Sequence, residues 1–145
     1  MVDRDRDKAE ALSSERFNRA RQAQARALLE DYTEMIDDLI REHGEARVAD
    51  IAQRIGVAQP TATKAVARLK REGLAVSRPY RGVFLTEEGR AMAIEARARH
   101  RTVRDLLVAV GVPAAVAEID AEGMEHHVSP ETLAAFKAFL RQGKA

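Results

Sequence analysis

The stretch from Asp120 to His127 carries carboxylate and imidazole side chains at a spacing that suits a metal ion. On a helix, Glu122, Glu125 and His126 stand at i, i+3 and i+4, so their side chains project from one face. Neighbouring carboxylates repel each other unless a cation lies between them, and a divalent ion supplies that charge. His127 is turned by about 100° around the helix, which favours a role in packing or in solvent. The stretch is therefore half of a candidate metal site, with a solvated acidic face as the alternative.

The composition excludes several kinds of protein. A chain of 145 residues can form one compact domain or two small ones that share a core. It has no Cys, so a metal site must use oxygen and nitrogen ligands. The charged start, residues 1–6, is unlike a signal peptide, and no apolar run reaches membrane-spanning length. We therefore expect a cytoplasmic protein that does not contact a membrane.

The other half of the candidate metal site must come from elsewhere in the chain. Residues 1–14 alternate charges without an apolar period, which predicts a frayed arm. From Ser14, apolar residues recur at three- and four-residue steps, which predicts a long helix to Gly44 that could be broken near Arg21. Asp31 and Glu34 lie on this helix, and their pattern alone favours surface carboxylates.

Residues 46–74 have the layout of a helix-turn-helix. Gly56 suits the chain reversal between two short helices, and Pro60 suits the first turn of the second helix. The outward side chains of this second helix are small, hydrogen-bonding or cationic, as a helix in the DNA major groove requires. The candidate DNA-binding residues here are Gln59, Pro60, Thr61, Thr63, Lys64 and Arg68. The alternative is a plain helical hairpin with a solvated basic face.

Residues 74–86 contain two short β-like runs around a turn, which predicts a hairpin. A hairpin after a helix-turn-helix forms a winged helix. Arg78 and Arg81 at its tip could reach phosphates or the minor groove, although the hairpin could instead be purely structural.

Three further helices are expected after the wing. Thr86 suits the N-cap of a helix from Glu87 to about Val110, in which His100 stands among arginines and has no evident partner. The acidic stretch follows, and then a last helix. Apolar stripes on the first and last of these helices lack partners within so small a chain, which predicts a homodimer.

The predicted fold class is mainly α, with a winged helix-turn-helix DNA-binding domain and an α-helical metal-binding and dimerisation domain. We place an N-terminal arm or helical extension at residues 1–24, the DNA-binding domain at 25–90 and the metal-binding and dimerisation domain at 91–145.

Five motifs in this order resemble the diphtheria-toxin-repressor family of metal-responsive transcription regulators, and specifically its manganese-sensing branch. The resemblance covers about Leu28 to Leu140. The motifs are residues 29–34 in the first long helix, 46–52 at the start of the helix-turn-helix, 80–86 in the wing, 99–100 after it, and 120–127.

The resemblance implies metal ligands from three helices. Transferred residue by residue, they are Asp31, Glu34, His100, Glu122, Glu125 and His126. Iron-responding relatives have Met at the position of Asp31 and Cys at that of Glu122, so two carboxylates here favour the harder ion Mn²⁺, with Fe²⁺ as an alternative. One ion, or two that share Glu122 and Glu125, would bind each subunit.

The resemblance therefore implies a Mn²⁺-dependent homodimer that binds palindromic double-stranded DNA and represses manganese-uptake genes. It implies no enzymatic activity. The alternative is a winged-helix repressor that responds to Fe²⁺ or to a small organic ligand. A small metal-dependent hydrolase or oxidase is a third possibility, but the sequence has no nucleophile constellation and no phosphate-binding glycine loop. A metal store or scaffold would leave the recognition helix unexplained.

Overall fold

The computed structural model describes residues 2–143, so residues 1, 144 and 145, the ends of the first and last expected domains, lie outside the described residues. The described residues are mainly helical, with a single two-stranded sheet, as predicted. The elements are α1 (Val2–His43), α2 (Val48–Ile55), α3 (Gln59–Arg71), β1 (Ala75–Arg78), β2 (Gly82–Leu85), α4 (Glu87–Ala109), α5 (Ala114–Met124), a 3₁₀ turn (Glu125–His127) and α6 (Pro130–Gln142).

The longest element is α1, which runs for 42 residues without a break. The prediction of a frayed arm was wrong for residues 2–14, and so was the break near Arg21. The segment has neither Gly nor Pro before Gly44 and is rich in good helix formers, so local propensity keeps it helical without an apolar stripe. An ion pair between Arg6 and Glu10, 3.2 Å apart, adds support one turn along the helix. Residues 3–22 are exposed, and burial begins in the second half of α1.

The winged helix packs around the second half of α1. Gly56 adopts a left-handed φ of 85° and ends α2, as the sequence predicts. Pro60 lies in the first turn of α3. Buried side chains from α1, α2, α3 and the wing form one core, which includes Tyr32, Ile36, Leu39, Ile51, Val66, Leu69 and Val83. This core attaches the DNA-binding helices to α1.

The wing is fastened to the segment between α1 and α2. Its strands pair antiparallel from Ala75–Leu85 to Arg78–Gly82. The Val83 N–H donates a hydrogen bond of 2.8 Å to the Ala46 carbonyl. Gly82 has a φ of +95°, and a Cβ there would lie 2.4 Å from that same carbonyl oxygen. Only glycine fits this close approach.

Helix α4 joins the winged helix to the C-terminal helices. The Arg97 guanidinium on α4 contacts Asp37 at 2.6 Å and Asp38 at 2.7 Å, and so fixes α4 against α1. Val116, Ile119 and Phe139 are exposed apolar residues on α5 and α6, where a second subunit could cover them. Among the described residues, no helix is both long and apolar enough to cross a membrane.

Candidate metal centre

The six residues expected as metal ligands meet where α1, α4 and the end of α5 adjoin. Asp31 and Glu34 come from α1, and His100 comes from α4. The acidic stretch departs from the single α-helix that the sequence predicts, because α5 ends at Met124 and the next three residues form a 3₁₀ turn. Glu122 therefore lies in the last turn of α5, whereas Glu125 and His126 lie in the 3₁₀ turn. The side chain of His127 is exposed.

Two groups of three residues have the geometry of a metal site. The ligand atoms of Asp31, Glu122 and His126 all lie within 4.8 Å of one another, and so do those of His100, Glu122 and Glu125. We call these the first and second triads. Glu122 belongs to both. Glu34 belongs to neither triad. Its charge helps to raise the pKa of Glu125, and the charges of Asp31 and Glu122 help to raise the pKa of Glu34.

The two imidazoles present defined ring nitrogens to the triads. His126 Nε2 lies 3.1 Å from Asp31 Oδ1. His100 Nδ1 lies 3.3 Å from Glu122 Oε2 and 3.2 Å from Glu125 Oε2. The other nitrogen of His100 lies 2.7 Å from Glu118 Oε1, so a proton on Nε2 would leave Nδ1 with a lone pair for a cation.

Several polar atoms at this junction are buried and have no hydrogen-bond partner among the described residues. The acceptors among them are Asp31 Oδ1, Glu34 Oε1, His100 Nδ1 and both carboxylate oxygens of Glu125. One donor atom, Arg99 Nη2, also lacks a hydrogen-bond partner, although it forms an ion pair with Glu30. Buried acceptors without donors are rare in folded proteins, because each loses its hydration without compensation. A divalent cation would satisfy these oxygen and nitrogen atoms together, so the donor set fits such an ion.

Burial and mutual repulsion perturb the carboxylates. Burial raises the pKa of Glu125 to about 8, and the charges of Glu34 and Glu122 act in the same direction. Burial likewise raises the pKa of Glu34 to about 7, with Glu122 and Asp31 adding to the effect. For His126, burial alone would lower the pKa, but hydrogen bonds to Asp31 and Glu30 outweigh it and raise the pKa to about 10. These shifts reflect several acidic groups crowded in a buried place, and a divalent cation among them would favour their charged forms.

Three residues beside the triads, Glu30, Arg99 and Glu118, were not predicted from the sequence as part of the site. Glu30 is 2% exposed and contacts His126, Arg99 and Arg26. Glu118 contacts His100. Glu30 and Arg99 directly precede expected ligands, but a neighbouring residue is turned by about 100° on a helix, so spacing gave no reason to include them.

The expected DNA-binding residues of α3 lie on its outer face. Gln59, Pro60, Thr61, Thr63 and Lys64 are exposed. The Thr63 hydroxyl donates to the Gln59 carbonyl at 3.0 Å. Arg68 is half-buried and lies 3.5 Å from Glu72, so it is less available than Lys64.

The wing places its two arginines differently. Arg81 is exposed in the turn, whereas Arg78 ends β1 with its guanidinium 4.7 Å from the centre of the Phe84 ring. Sequence reasoning missed Tyr80, which is 97% exposed at the tip and has a φ of 62°. Arg47 donates a hydrogen bond of 3.3 Å to the Tyr80 carbonyl and holds the tip against the start of α2.

Comparisons with known proteins agree with this architecture. Residues 27–83 match the profile described as "Iron dependent repressor, N-terminal DNA binding domain", and residues 86–144 match "Iron dependent repressor, metal binding and dimerisation domain". The chain is 52% identical over 128 residues to "Transcriptional regulator MntR" of Escherichia coli O6:H1, covering 88% of this chain and 83% of the relative. It is 40% identical over 101 residues to "HTH-type transcriptional regulator MntR" of Geobacillus kaustophilus, covering 70% and 72%. The structure titled "Manganese-dependent transcriptional repressor complex with manganese" aligns with a TM-score of 0.67 and 30% identity, over 77% of this chain and 52% of that one.

Proposed function

The chain belongs to the iron-dependent repressor family of metal-dependent DNA-binding transcription regulators, also called the diphtheria-toxin-repressor and MntR family, and on this premise we propose that it is a repressor activated by Mn²⁺. The observation that carries the proposal is the pair of triads that share Glu122. Their donors are carboxylates and imidazoles, which suit Mn²⁺ better than they suit ions that prefer thiolate ligands. The relatives named MntR and the manganese-bound neighbour support the same choice of metal.

The proposed ligands are Asp31, Glu34, His100, Glu122, Glu125 and His126. Two triads with a shared carboxylate support up to two ions per subunit. Fe²⁺ accepts the same donors, so it is a competing activator.

The chain's own residues connect this site to DNA binding. A cation held between the triads would neutralise their carboxylates and fix α1 relative to α4 and the 3₁₀ turn. Ile36 and Leu39 follow Asp31 and Glu34 on the same helix and pack in the core with α2 and α3. Fixing α1 therefore fixes the recognition helix α3 relative to the C-terminal helices. If Mn²⁺ favours the DNA-binding arrangement, DNA must raise the affinity for Mn²⁺ by the same factor.

We propose domain limits of 25–90 for DNA binding and 91–145 for metal binding and dimerisation, with residues 1–24 as a helical extension. The exposed apolar residues on α5 and α6 support a homodimer. A two-fold dimer presents two copies of α3 to successive major grooves of a palindrome. The proposed DNA contacts are Gln59, Pro60, Thr61, Thr63, Lys64 and Arg68 of α3, with Arg78 and Arg81 of the wing. The proposed targets are manganese-uptake genes.

Selection from a DNA library at fixed ionic strength tests the proposal. The protein is treated with a chelator, and Mn²⁺, Fe²⁺ or Zn²⁺ is then added back. The variant Glu122→Ala removes the shared carboxylate, and His127→Ala is the matched control because His127 is close in sequence but outside both triads.

We expect a palindrome to be selected only with Mn²⁺, in the wild type and in His127→Ala but not in Glu122→Ala. Selection of the same palindrome without metal would retain DNA binding and overturn the metal switch. A stronger response to Fe²⁺ would reassign the activating ion.

A further inference from the structure

We infer that Glu30 is a positioning residue of the metal centre, which orients the His126 ring so that Nε2 faces Asp31. Arg99 in turn holds the Glu30 carboxylate in place. The inference rests on the proposed function and extends it to residues outside the six expected ligands.

The contacts of Glu30 fix the orientation of the imidazole. Glu30 Oε2 lies 2.7 Å from His126 Nδ1. On the other side of the ring, Nε2 lies 3.1 Å from Asp31 Oδ1 and 3.6 Å from Glu125 Oε1. A proton held on Nδ1 by Glu30 leaves Nε2 as the nitrogen that can bind a cation. A flipped ring would place a carbon atom opposite Glu30 and lose this hydrogen bond.

Glu30 is itself held by two arginines. Arg99 Nη2 lies 2.5 Å from Oε2, and the Arg26 Nε–H donates to Oε1 at 2.9 Å. Because the carboxylate is 2% exposed, these two cationic partners take the place of the water that would otherwise surround it. A buried carboxylate with three such partners has one stable orientation.

These partners also separate Glu30 from the metal ligands. Each Glu30 oxygen has a hydrogen-bond partner, Arg26 for Oε1 and His126 for Oε2, whereas both Glu125 oxygens have no hydrogen-bond partner among the described residues. Glu30 belongs to neither triad. It therefore acts through His126 and not by direct contact with a cation.

The network joins the same three elements as the candidate metal site. Glu30 lies on α1, Arg99 on α4 and His126 in the 3₁₀ turn. The network thus brings α1, α4 and the turn together before a cation binds. Such preorganisation increases affinity because less ordering remains to be done on binding.

Two substitutions separate orientation from charge. Glu30→Gln keeps the shape and an amide oxygen that can accept from Nδ1–H, whereas Glu30→Ala removes the acceptor. A cavity of about 470 Å³ beside Glu30, Arg99 and His126 gives water access to the partners that Glu30→Ala leaves behind. Glu95 lines the same cavity, and no hydrogen bond or ion pair joins it to His126 among the described residues, so Glu95→Ala is the matched control.

Two measurements test the inference. One is Mn²⁺ affinity, followed by the electron paramagnetic resonance signal of the free ion. The other is the ¹⁵N spectrum of histidine-labelled protein loaded with Cd²⁺, a diamagnetic probe. We expect a His126 ring with protonated Nδ1 and metal-bound Nε2 in the wild type. In Glu30→Ala we expect Mn²⁺ affinity to fall by about 10–100-fold and that signature to be lost. Glu30→Gln should keep the signature and lose less affinity.

The outcomes distinguish this inference from the proposed function. Wild-type affinity and an unchanged ¹⁵N signature in Glu30→Ala would overturn the role of Glu30 alone. A fall in affinity with an unchanged signature would also overturn it, since Glu30 would then act only through its charge. If the wild type binds no Mn²⁺, or Asp31→Ala binds it equally well, the proposed metal site fails and the inference fails with it.

Discussion

Glu122 is the residue at which the metal preference of the proposed site is tested most directly, because each triad includes its carboxylate. Replacing it with Cys would introduce a thiolate, which favours softer ions such as Zn²⁺ and Cd²⁺. We expect Glu122→Cys to bind Mn²⁺ more weakly and Zn²⁺ more tightly, measured by competition with a chromogenic chelator. His127→Cys adds the same group outside the triads and should leave the order of affinities as in the wild type. Equal selectivity in the two variants would exclude Glu122 as a ligand.

The pKa values of Glu34 and Glu125 predict how pH affects the metal-free protein. Both are raised, to about 7 and about 8, from an ordinary value of 4.5. Between pH 4.5 and 8 the folded chain therefore binds more protons than the unfolded chain, so the free energy of unfolding falls as pH rises. The raised pKa of His126 acts in the same direction above its ordinary value of 6.5.

Urea denaturation in the presence of a chelator measures this dependence. We expect lower stability at pH 8 than at pH 5, and a smaller difference in Glu125→Gln, whose side chain does not ionise. Stability that rises over this window in the wild type would contradict the raised pKa values.

The sequence indicated the six expected ligands but not the residues that support them. Glu122, Glu125 and His126 stand out by spacing, and the family resemblance added His100, which has no distinguishing neighbour in the sequence. Glu30 looks like any exposed helical carboxylate in the sequence, because its burial depends on contacts with α4 and the 3₁₀ turn. Such long-range contacts leave no local pattern.

At the scale of elements, the wing depends on one glycine. A side chain at Gly82 would meet the Ala46 carbonyl and would also require an unfavourable φ. We expect Gly82→Ala to lower the free energy of unfolding by about 2–4 kcal/mol, as for other backbone conflicts. Gly44 also has a positive φ, but a Cβ there meets nothing within 4 Å. Gly44→Ala should therefore cost about 1 kcal/mol, for the left-handed backbone alone.

Thermal or urea unfolding of the two glycine variants gives this comparison, and DNA binding by the folded variants adds a second readout. Gly82→Ala should also weaken DNA binding, because it separates the wing from the start of α2. Equal losses of stability in both variants would show that the contact with Ala46 does not matter.

Local signals decided which elements were predictable. Gly56 and Pro60 mark the turn and the second helix of the helix-turn-helix, and both act through their own backbone preferences. The 3₁₀ turn at Glu125–His127 has no such signal. It contacts α1 and α4, which are distant in sequence, and a local pattern does not report such contacts. The helical start of α1 was not predicted, because its alternating charges give no apolar period although its residues are good helix formers.

At the scale of the whole molecule, Arg81 tests the docking of the wing on DNA. Its side chain is exposed in the wing turn, as a contact with a DNA phosphate requires. We expect Arg81→Ala to weaken binding to all sequences similarly. If one phosphate contact is lost, the slope of log K against log salt concentration should change by about 0.9.

Titration of labelled DNA at several salt concentrations measures that slope in the presence of Mn²⁺. Arg90→Ala, at an exposed position on α4 beyond the wing, is a control for the loss of one positive charge. A change confined to one DNA sequence would instead assign Arg81 to base recognition.

Because α1 is one continuous helix, a small tilt near Asp31 would displace its N-terminal end by a large distance. From Asp31 back to Val2 the helix rises over 29 residue steps, or about 44 Å at 1.5 Å per residue. A tilt of about 10° at the metal centre would move the far end of a rigid helix of that length by about 8 Å. Since the chain contains no Cys, a single cysteine introduced at exposed Lys8 could carry one label without competition. A small tilt at the proposed metal site would thereby appear as a displacement of the N-terminal extension that distance measurements can resolve.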